Sequence, residues 1–155
     1  MDKTRYDIYF ASFIPYSHIQ GHIAKIFLKT IQSQGRYIYL GNTLTTAREC
    51  LESLELDYII YPDLGMKVLP TLLAFSRIAR VQLTTWGHSQ TSGIDTIDYF
   101  ISSSWFENHS QPGDKLSHPG NLSHPGNLTH PETHYTEKLI LFNSLGTYYI
   151  SRSEE

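Results

Sequence analysis

The sequence has little of what marks a disulfide-rich, membrane-spanning or nucleic-acid-binding protein. Its one cysteine, Cys50, excludes an intrachain disulfide and any zinc site built from several cysteines. Charged residues make up 17% of the chain and the formal net charge is −3, so no field of one sign attracts nucleic acid or acidic lipid. No apolar run approaches the roughly 18 residues of a membrane span, and no secretory apolar region is visible at the start. We therefore expect a cytoplasmic protein without nucleic-acid or membrane partners.

The residues that are present predict an α/β fold. With 155 residues and 40% apolar content, the chain has the size and the core material of about one domain. Runs rich in aromatic and β-branched residues alternate with segments whose apolar residues recur at helical spacing, which favours a Rossmann-like, mostly parallel sheet with flanking helices. Strands are predicted over 6–13, 36–40, 57–61, 81–86 and 97–101, and helices over 22–32, after a cap at Asn42 or Thr43, and from the turn that contains Pro70.

The composition changes after Trp105. Residues 116–133 are three tandem hexamers, LSHPGN, LSHPGN and LTHPET, whose prolines and glycines predict an exposed loop. The segment that follows predicts a helical turn and one further strand. We therefore divide the chain into an α/β lobe over 1–104, a repeat loop over 105–133 and a terminal helix–strand segment over 134–155.

The hexamers place His118, His124 and His130 at regular intervals. Neutral imidazole binds zinc and nickel, so a metal-binding function is one interpretation of the array. The other is repeat expansion in a surface loop, because specific metal sites need preorganised ligands and a supporting shell. We favour the second interpretation and assign no metal site.

Three loops follow predicted strands and place polar residues where an open parallel sheet binds ligands, beyond the carboxyl ends of its strands. They are residues 15–22, 62–66 and 86–93. Two of them contain histidines, and their glycines allow backbone amides to approach a ligand closely. Asp98, inside the IDYF segment, is expected to bind nearby backbone amides instead.

The same residues resemble a known family. The stretch YPDLGM, LLAFSRIA, VQLTTWGH, TSG and IDYFISS over 61–104 looks like the catalytic region of the O-GlcNAc transferases, including their SPINDLY-like, bacterial and viral relatives. Residues 134–149 resemble the close of that family's first catalytic lobe. The early loop Ser17-His18-x-x-Gly21-His22 is similar to the family's histidine loop.

This resemblance implies the first lobe of a GT-B glycosyltransferase, which transfers a sugar from a nucleotide-sugar, typically UDP-GlcNAc, to Ser or Thr hydroxyls without a metal or other cofactor. It implies a catalytic role for His18, as a base or as a positioning group, since neutral imidazole can take up the proton of an acceptor hydroxyl. It also implies substrate-binding roles for six residues: Gly21, Gly65, Gly87, His88, Thr91 and Gly93.

Purely structural interpretations of these residues stay open. His18 can cap the following helix or bond a neighbouring loop, and Gly65 and Gly93 can serve turn geometry alone. The chain also departs from the family, with Arg80 and Ser89 where the family has proline and with an early region that is compressed.

The length fits half of a two-lobed cleft. We therefore expect the isolated chain to be weak or inactive, unless a second polypeptide completes the site for the nucleotide-sugar and the protein acceptor. The alternative function is a non-catalytic interaction module derived from such a lobe.

Overall fold

The computed structural model describes residues 5–87, 91–107 and 134–144, without the side chains of 22–24. These residues belong to two compact units, with the boundary in sequence between Leu56 and Asp57. The predicted α/β class is confirmed, because every described strand pairing in both units is parallel and an α-helix lies between each of the first four strands and the next one in that group. The described strands form two sheets, one in each unit, whereas the strand–helix alternation alone predicts a single sheet.

The first unit consists of two strands and two α-helices: β1 (Tyr9–Ser12), α1 (His22–Gln34), β2 (Arg36–Tyr39) and α2 (Leu44–Glu52). A short 3-10 helix, Tyr16–His18, lies between β1 and α1. Strands β1 and β2 run parallel, with Tyr9 opposite Arg36 and Ser12 opposite Tyr39. The core of this unit is made by Ile31, Leu40, Ala47 and Leu51.

Local chemistry determines where these helices begin and end. Thr43 caps α2, since its Oγ1 accepts the Thr46 amide at 3.2 Å, which satisfies one of the unpaired N–H groups at a helix start. Of the two predicted caps, Asn42 and Thr43, the structure therefore selects Thr43. Gly35 ends α1, and a Cβ atom there would overlap the carbonyl oxygen of Ile8, so only glycine allows β2 to start this close to β1.

The second unit is a four-stranded parallel sheet with the order β3-β4-β5-β6. Its elements are β3 (Tyr58–Tyr61), α3 (Val68–Ala74), β4 (Val81–Thr85), β5 (Tyr99–Ser103) and β6 (Lys138–Phe142). Leu73, Ile78, Ile94, Ile97 and Phe100 are buried at its core. The sequence prediction placed β3, β4 and β5 within two residues of their starts, β6 is the further strand predicted within the last segment, and Pro70 lies in the first turn of α3 as expected.

Two polar residues join the segments around β4. The fully buried Gln82 accepts the amides of Ile78 and Ala79 with Oε1, and its Nε2 donates to the Thr96 carbonyl at 3.0 Å. Asp98 accepts the Gln82 amide at 2.8 Å, which confirms the expectation that this carboxylate binds a backbone amide. Gln82 and Asp98 thus fix the start of β4 relative to the segment that leads into β5.

Neither a membrane-spanning helix nor a cluster of metal ligands is present in the part of the chain that the structure describes. No helix within them is long and apolar enough to cross a membrane. They also contain no group of three or more His, Cys, Asp or Glu side chains that could hold a metal ion. The three histidines of the hexamers lie outside the described residues.

Candidate functional site

The second unit contains a cavity of about 170 Å³ beside the carboxyl end of β4. Its walls come from the loop after β3, the last residues of β4, and the connection between β4 and β5. Two of the three loops predicted from the sequence therefore border one cavity. The lining residues are Leu64, Gly65, Thr71, Thr84, Thr85, Thr91, Ser92, Ile94 and Phe100.

The cavity lining is neutral and rich in hydroxyl groups. It contains four threonines and one serine beside apolar surface from Leu64, Ile94 and Phe100, and no lining residue carries a charge. A few polar groups set in apolar walls are typical of small-molecule sites. Such a lining matches an uncharged polyhydroxy ligand better than a phosphate or a carboxylate, which need cationic or multiple N–H donors.

Several of these hydroxyls already have protein partners. Thr84 Oγ1 donates to the Tyr61 carbonyl at 2.9 Å, and Thr71 Oγ1 donates to the Lys67 carbonyl at 2.7 Å while it accepts the Gly65 amide at 3.0 Å. Thr85, half-buried at the end of β4, makes no side-chain hydrogen bond with another described residue. Thr85 is therefore the lining threonine whose hydroxyl can serve a ligand without breaking a bond shown here.

The connection between β4 and β5 is held by Glu137, which immediately precedes β6. The Glu137 carboxylate accepts the Thr91 hydroxyl at 2.6 Å, the Ser92 amide at 2.8 Å, and the Ser92 hydroxyl. Burial raises the pKa of this carboxyl, but the bonds from Ser92 and Thr91 outweigh burial and hold the pKa below its ordinary value. Glu137 is thus ionised at neutral pH and anchors the cavity wall.

The Thr91 hydroxyl is hydrogen-bonded both as a donor and as an acceptor. Its hydroxyl donates to Glu137 and accepts the Thr136 amide at 3.0 Å. The structure thus places this predicted substrate-binding residue on the cavity with its hydroxyl already bonded to the segment before β6. Its binding role stays a prediction.

The predicted glycines occupy different positions. Gly65 lines the cavity with φ +79°, a left-handed conformation that favours glycine, and Gly93 has φ +64° and open space around it. Gly87 packs so closely on the loop after β3 that a Cβ atom would overlap the Pro62 carbonyl oxygen. Gly65 and Gly93 thus allow the turns at the cavity, and Gly87 allows the close approach of two loops beside it.

The remaining predicted residues are not among the described residues that line this cavity. His18 belongs to the first unit, where it is exposed at the end of the 3-10 helix and its amide donates to the Pro15 carbonyl at 2.9 Å. Its imidazole makes no hydrogen bond with another described residue. Gly21 precedes α1 with φ +104°, and its carbonyl accepts the Lys25 amide. His88 lies outside the described residues.

Sequence reasoning missed the carboxylates before and beside β6. Besides Glu137, Glu107 accepts the Ser102 hydroxyl and the Tyr135 hydroxyl, each at 2.7 Å. Burial, followed by the bond to Glu107, raises the pKa of Tyr135, which stays a neutral donor. An acid directly before an apolar strand was the available signal for Glu137, but its partners lie 45 and 46 positions earlier in the chain.

No protein-family model and no curated protein matches the chain. Among solved structures, a mutant of the O-GlcNAc transferase of Thermobaculum terrenum is similar, with 21% sequence identity and a TM-score of 0.59. The match covers 92% of this chain and 22% of that chain, so the present chain spans less than a quarter of the enzyme's length. The resemblance found in the motifs is thereby confirmed at the level of structure: the chain has the α/β fold of part of an O-GlcNAc transferase.

Proposed function

We propose that this chain forms part of a GT-B glycosyltransferase that transfers a sugar from a nucleotide-sugar, UDP-GlcNAc, to serine or threonine hydroxyls of proteins. The observation that carries the proposal is the likeness of fold to an O-GlcNAc transferase over 92% of the chain. The neutral, hydroxyl-rich cavity supports it, because the sugar is the uncharged part of such a donor.

In this proposal the described residues supply sugar contacts rather than diphosphate contacts. Thr85 offers a hydroxyl and Gly65 a closely approaching backbone, while Phe100 and Ile94 supply apolar surface for the carbon face of a sugar ring. The charge of the diphosphate needs cationic donors from outside this cavity, since no lining residue carries a charge. A second polypeptide or a further segment of chain is the proposed source, and the proposed transfer uses no metal or other cofactor.

His18 is the proposed catalytic residue. Formation of the glycosidic bond requires that the acceptor hydroxyl loses its proton, and a neutral imidazole can accept or position that proton near pH 7. Its exposure on the 3-10 helix leaves the ring accessible to an acceptor.

The alternative function is a non-catalytic interaction module, and a specific surface supports it. Val68 and Leu72 of α3, with Phe75 directly after the helix, form a stripe at helical spacing, and their exposed fractions are 73%, 45% and 61%. Met66, just before the helix, is also exposed. Exposed apolar surface of this kind is typical of protein-binding faces.

Binding of the donor's parts tests the proposal. The full chain is titrated with N-acetylglucosamine, UDP and UDP-GlcNAc, and amide chemical shifts are followed by NMR. We expect both sugar-containing ligands to shift the amides of Gly65, Thr85 and Ile94. Thr85→Val should weaken their binding about twofold to tenfold through loss of one hydrogen bond.

The matched control is Thr30→Val, which removes a hydroxyl that bonds the Ile26 carbonyl within α1. It should leave sugar binding unchanged. Amide shifts around the cavity in none of the three titrations would contradict the transferase proposal, and a complex with a protein partner that is lost in Leu72→Ser but kept in Thr85→Val would favour the interaction module.

A further inference from the structure

Glu137 is the one buried carboxylate among the described residues, with an exposed fraction of 5%. A buried charge is costly unless it is hydrogen-bonded, so the partners of this carboxylate define its role. Thr91 and Ser92, in the connection between β4 and β5, donate three hydrogen bonds to this carboxylate. Among the described residues, no strand or helix donates a side-chain or backbone hydrogen bond to the Glu137 carboxylate.

The two oxygens of the Glu137 carboxylate bond different residues of the loop. Oε2 accepts the Thr91 hydroxyl at 2.6 Å, and Oε1 accepts both the amide of Ser92, at 2.8 Å, and its hydroxyl. Thr91, Ser92 and Ile94 line the cavity, whereas Glu137 itself does not. The carboxylate therefore holds the cavity wall from behind, out of reach of a ligand.

The cavity wall also depends on the hydroxyls of Thr91 and Ser92, which donate to Glu137. Thr91 Oγ1 accepts the Thr136 amide, and Ser92 Oγ accepts the Ile94 amide at 3.3 Å, so each hydroxyl links the carboxylate to backbone. With their hydrogens given to Glu137, these two hydroxyls cannot also donate to a ligand in the cavity. The loop's shape, rather than its hydroxyls, is then what a ligand meets.

We propose that Glu137 is the positioning residue of the cavity: it fixes residues 91–94 in the shape that accepts the sugar and thereby sets the affinity without contacting the ligand. The identity of the ligand rests on the proposed function, whereas the hold on the loop does not. Thr91, assigned to substrate binding by the resemblance, acts in this proposal through the position of the wall.

The test compares Glu137→Ala and Glu137→Gln with wild type in the full chain. Amide hydrogen exchange is measured at Ser92, whose N–H bonds the carboxylate, and at Gln82, whose N–H bonds Asp98 instead. In Glu137→Ala we expect exchange at Ser92 to rise about tenfold or more, from loss of charge-assisted hydrogen bonds, while Gln82 is unchanged.

Glu137→Gln provides the rescue. Its amide oxygen can still accept the Ser92 N–H, so exchange at Ser92 and sugar binding should return most of the way to wild type. The matched control is Glu107→Gln, which alters a carboxylate that bonds Ser102 and Tyr135 and not the loop. It should leave Ser92 exchange as in wild type.

Affinity for N-acetylglucosamine is measured on the same variants. A loss of binding in Glu137→Ala with unchanged exchange at Gln82, restored in Glu137→Gln, supports positioning. If wild type binds no sugar, the proposed function fails while Ser92 exchange still decides whether Glu137 holds the loop. Unchanged Ser92 exchange in Glu137→Ala, or equal acceleration at Ser92 and Gln82, overturns the inference. If Glu137→Ala does not fold, Glu137→Asp, which withdraws the carboxylate by one methylene, is measured by the same criteria.

Discussion

Asp98 shows how one side chain joins three segments of the second unit. Its carboxylate accepts Arg77 Nη1 at 2.6 Å and Nη2 at 3.1 Å, and it also accepts the Gln82 amide. The bond from Arg77 is the main cause that lowers the pKa of Asp98, with burial opposing it and the Gln82 amide adding to it. The Asp98 carboxylate thus bonds both Arg77, which lies shortly after α3, and the Gln82 amide near the start of β4.

Replacing Asp98 by alanine should therefore destabilise the protein. We expect a loss of about 1–3 kcal/mol in the free energy of unfolding, because the Gln82 amide loses a charged acceptor in a part-buried position. Urea denaturation measures it. The matched control is Asp57→Ala, which removes a similar pair with Arg80 whose side chains are both largely exposed. An equal loss in the two variants would contradict this account.

The same carboxylates make stability depend on pH. The pKa values of Glu137 and Asp98 are both lowered from ordinary values of 4.5 and 3.8. Each carboxylate therefore stabilises the folded state at pH values above its ordinary pKa. This contribution is lost as the pH falls through the folded-state pKa. We expect unfolding free energy to decline below about pH 4.5, and to decline less in the double variant Glu137→Gln, Asp98→Asn. Urea denaturation at pH 7 and pH 3 measures both, and parallel declines would contradict the assignment.

At the scale of elements, the two faces of α3 give a sharp contrast. Leu73 is 2% exposed and packs in the core, whereas its neighbour Leu72 is 45% exposed on the apolar stripe. Leu73→Ala should cost about 2–5 kcal/mol of unfolding free energy, since it leaves a cavity in a packed interior. Leu72→Ala should cost clearly less. Chemical denaturation of the two variants provides the comparison, and a larger loss for Leu72→Ala would show that the stripe is covered.

The loops after β3 and β4 make a second contrast. Gly87→Ala should disrupt the approach to Pro62, because the added Cβ atom meets a backbone oxygen that cannot move aside alone. Gly93→Ala adds its Cβ into open space, so its cost is limited to about 1–2 kcal/mol for a left-handed backbone. Thermal unfolding should therefore rank Gly93→Ala above Gly87→Ala in stability. The reverse order would contradict the close packing of these loops.

The elements also show what a single sequence can and cannot predict. The strand–helix alternation and the cap at Thr43 follow from local patterns, and these predictions are confirmed, while two of the three predicted loops border the cavity. The carboxylate that holds the cavity wall could not be predicted in this way, since nothing local in YTEKL indicates partners 45 and 46 positions earlier. Likewise, no local pattern indicates that the strands divide into two sheets rather than one.

At the scale of the whole molecule, the second unit has the features of an independent folding unit. It has its own four-stranded sheet and its own buried core, with Leu73, Ile97 and Phe100 among its least exposed residues. We expect a fragment spanning residues 57–149 to fold alone, with cooperative thermal unfolding and protected amides at Gln82 and Ser92. A fragment that shows no cooperative transition, under conditions where the full chain does, would contradict this independence.

The bond between Glu137 and Ser92 also has a consequence for the order of events during synthesis. The ribosome makes Ser92 45 residues before Glu137, a delay of roughly 2–9 s at 5–20 residues per second. By the end of that interval β3, β4 and β5 have been made, while the loop between β4 and β5 still lacks its anchor. A nascent chain that stops before Glu137 therefore carries three of the four strands and an unanchored loop, and the cavity wall is complete only after translation passes residue 137.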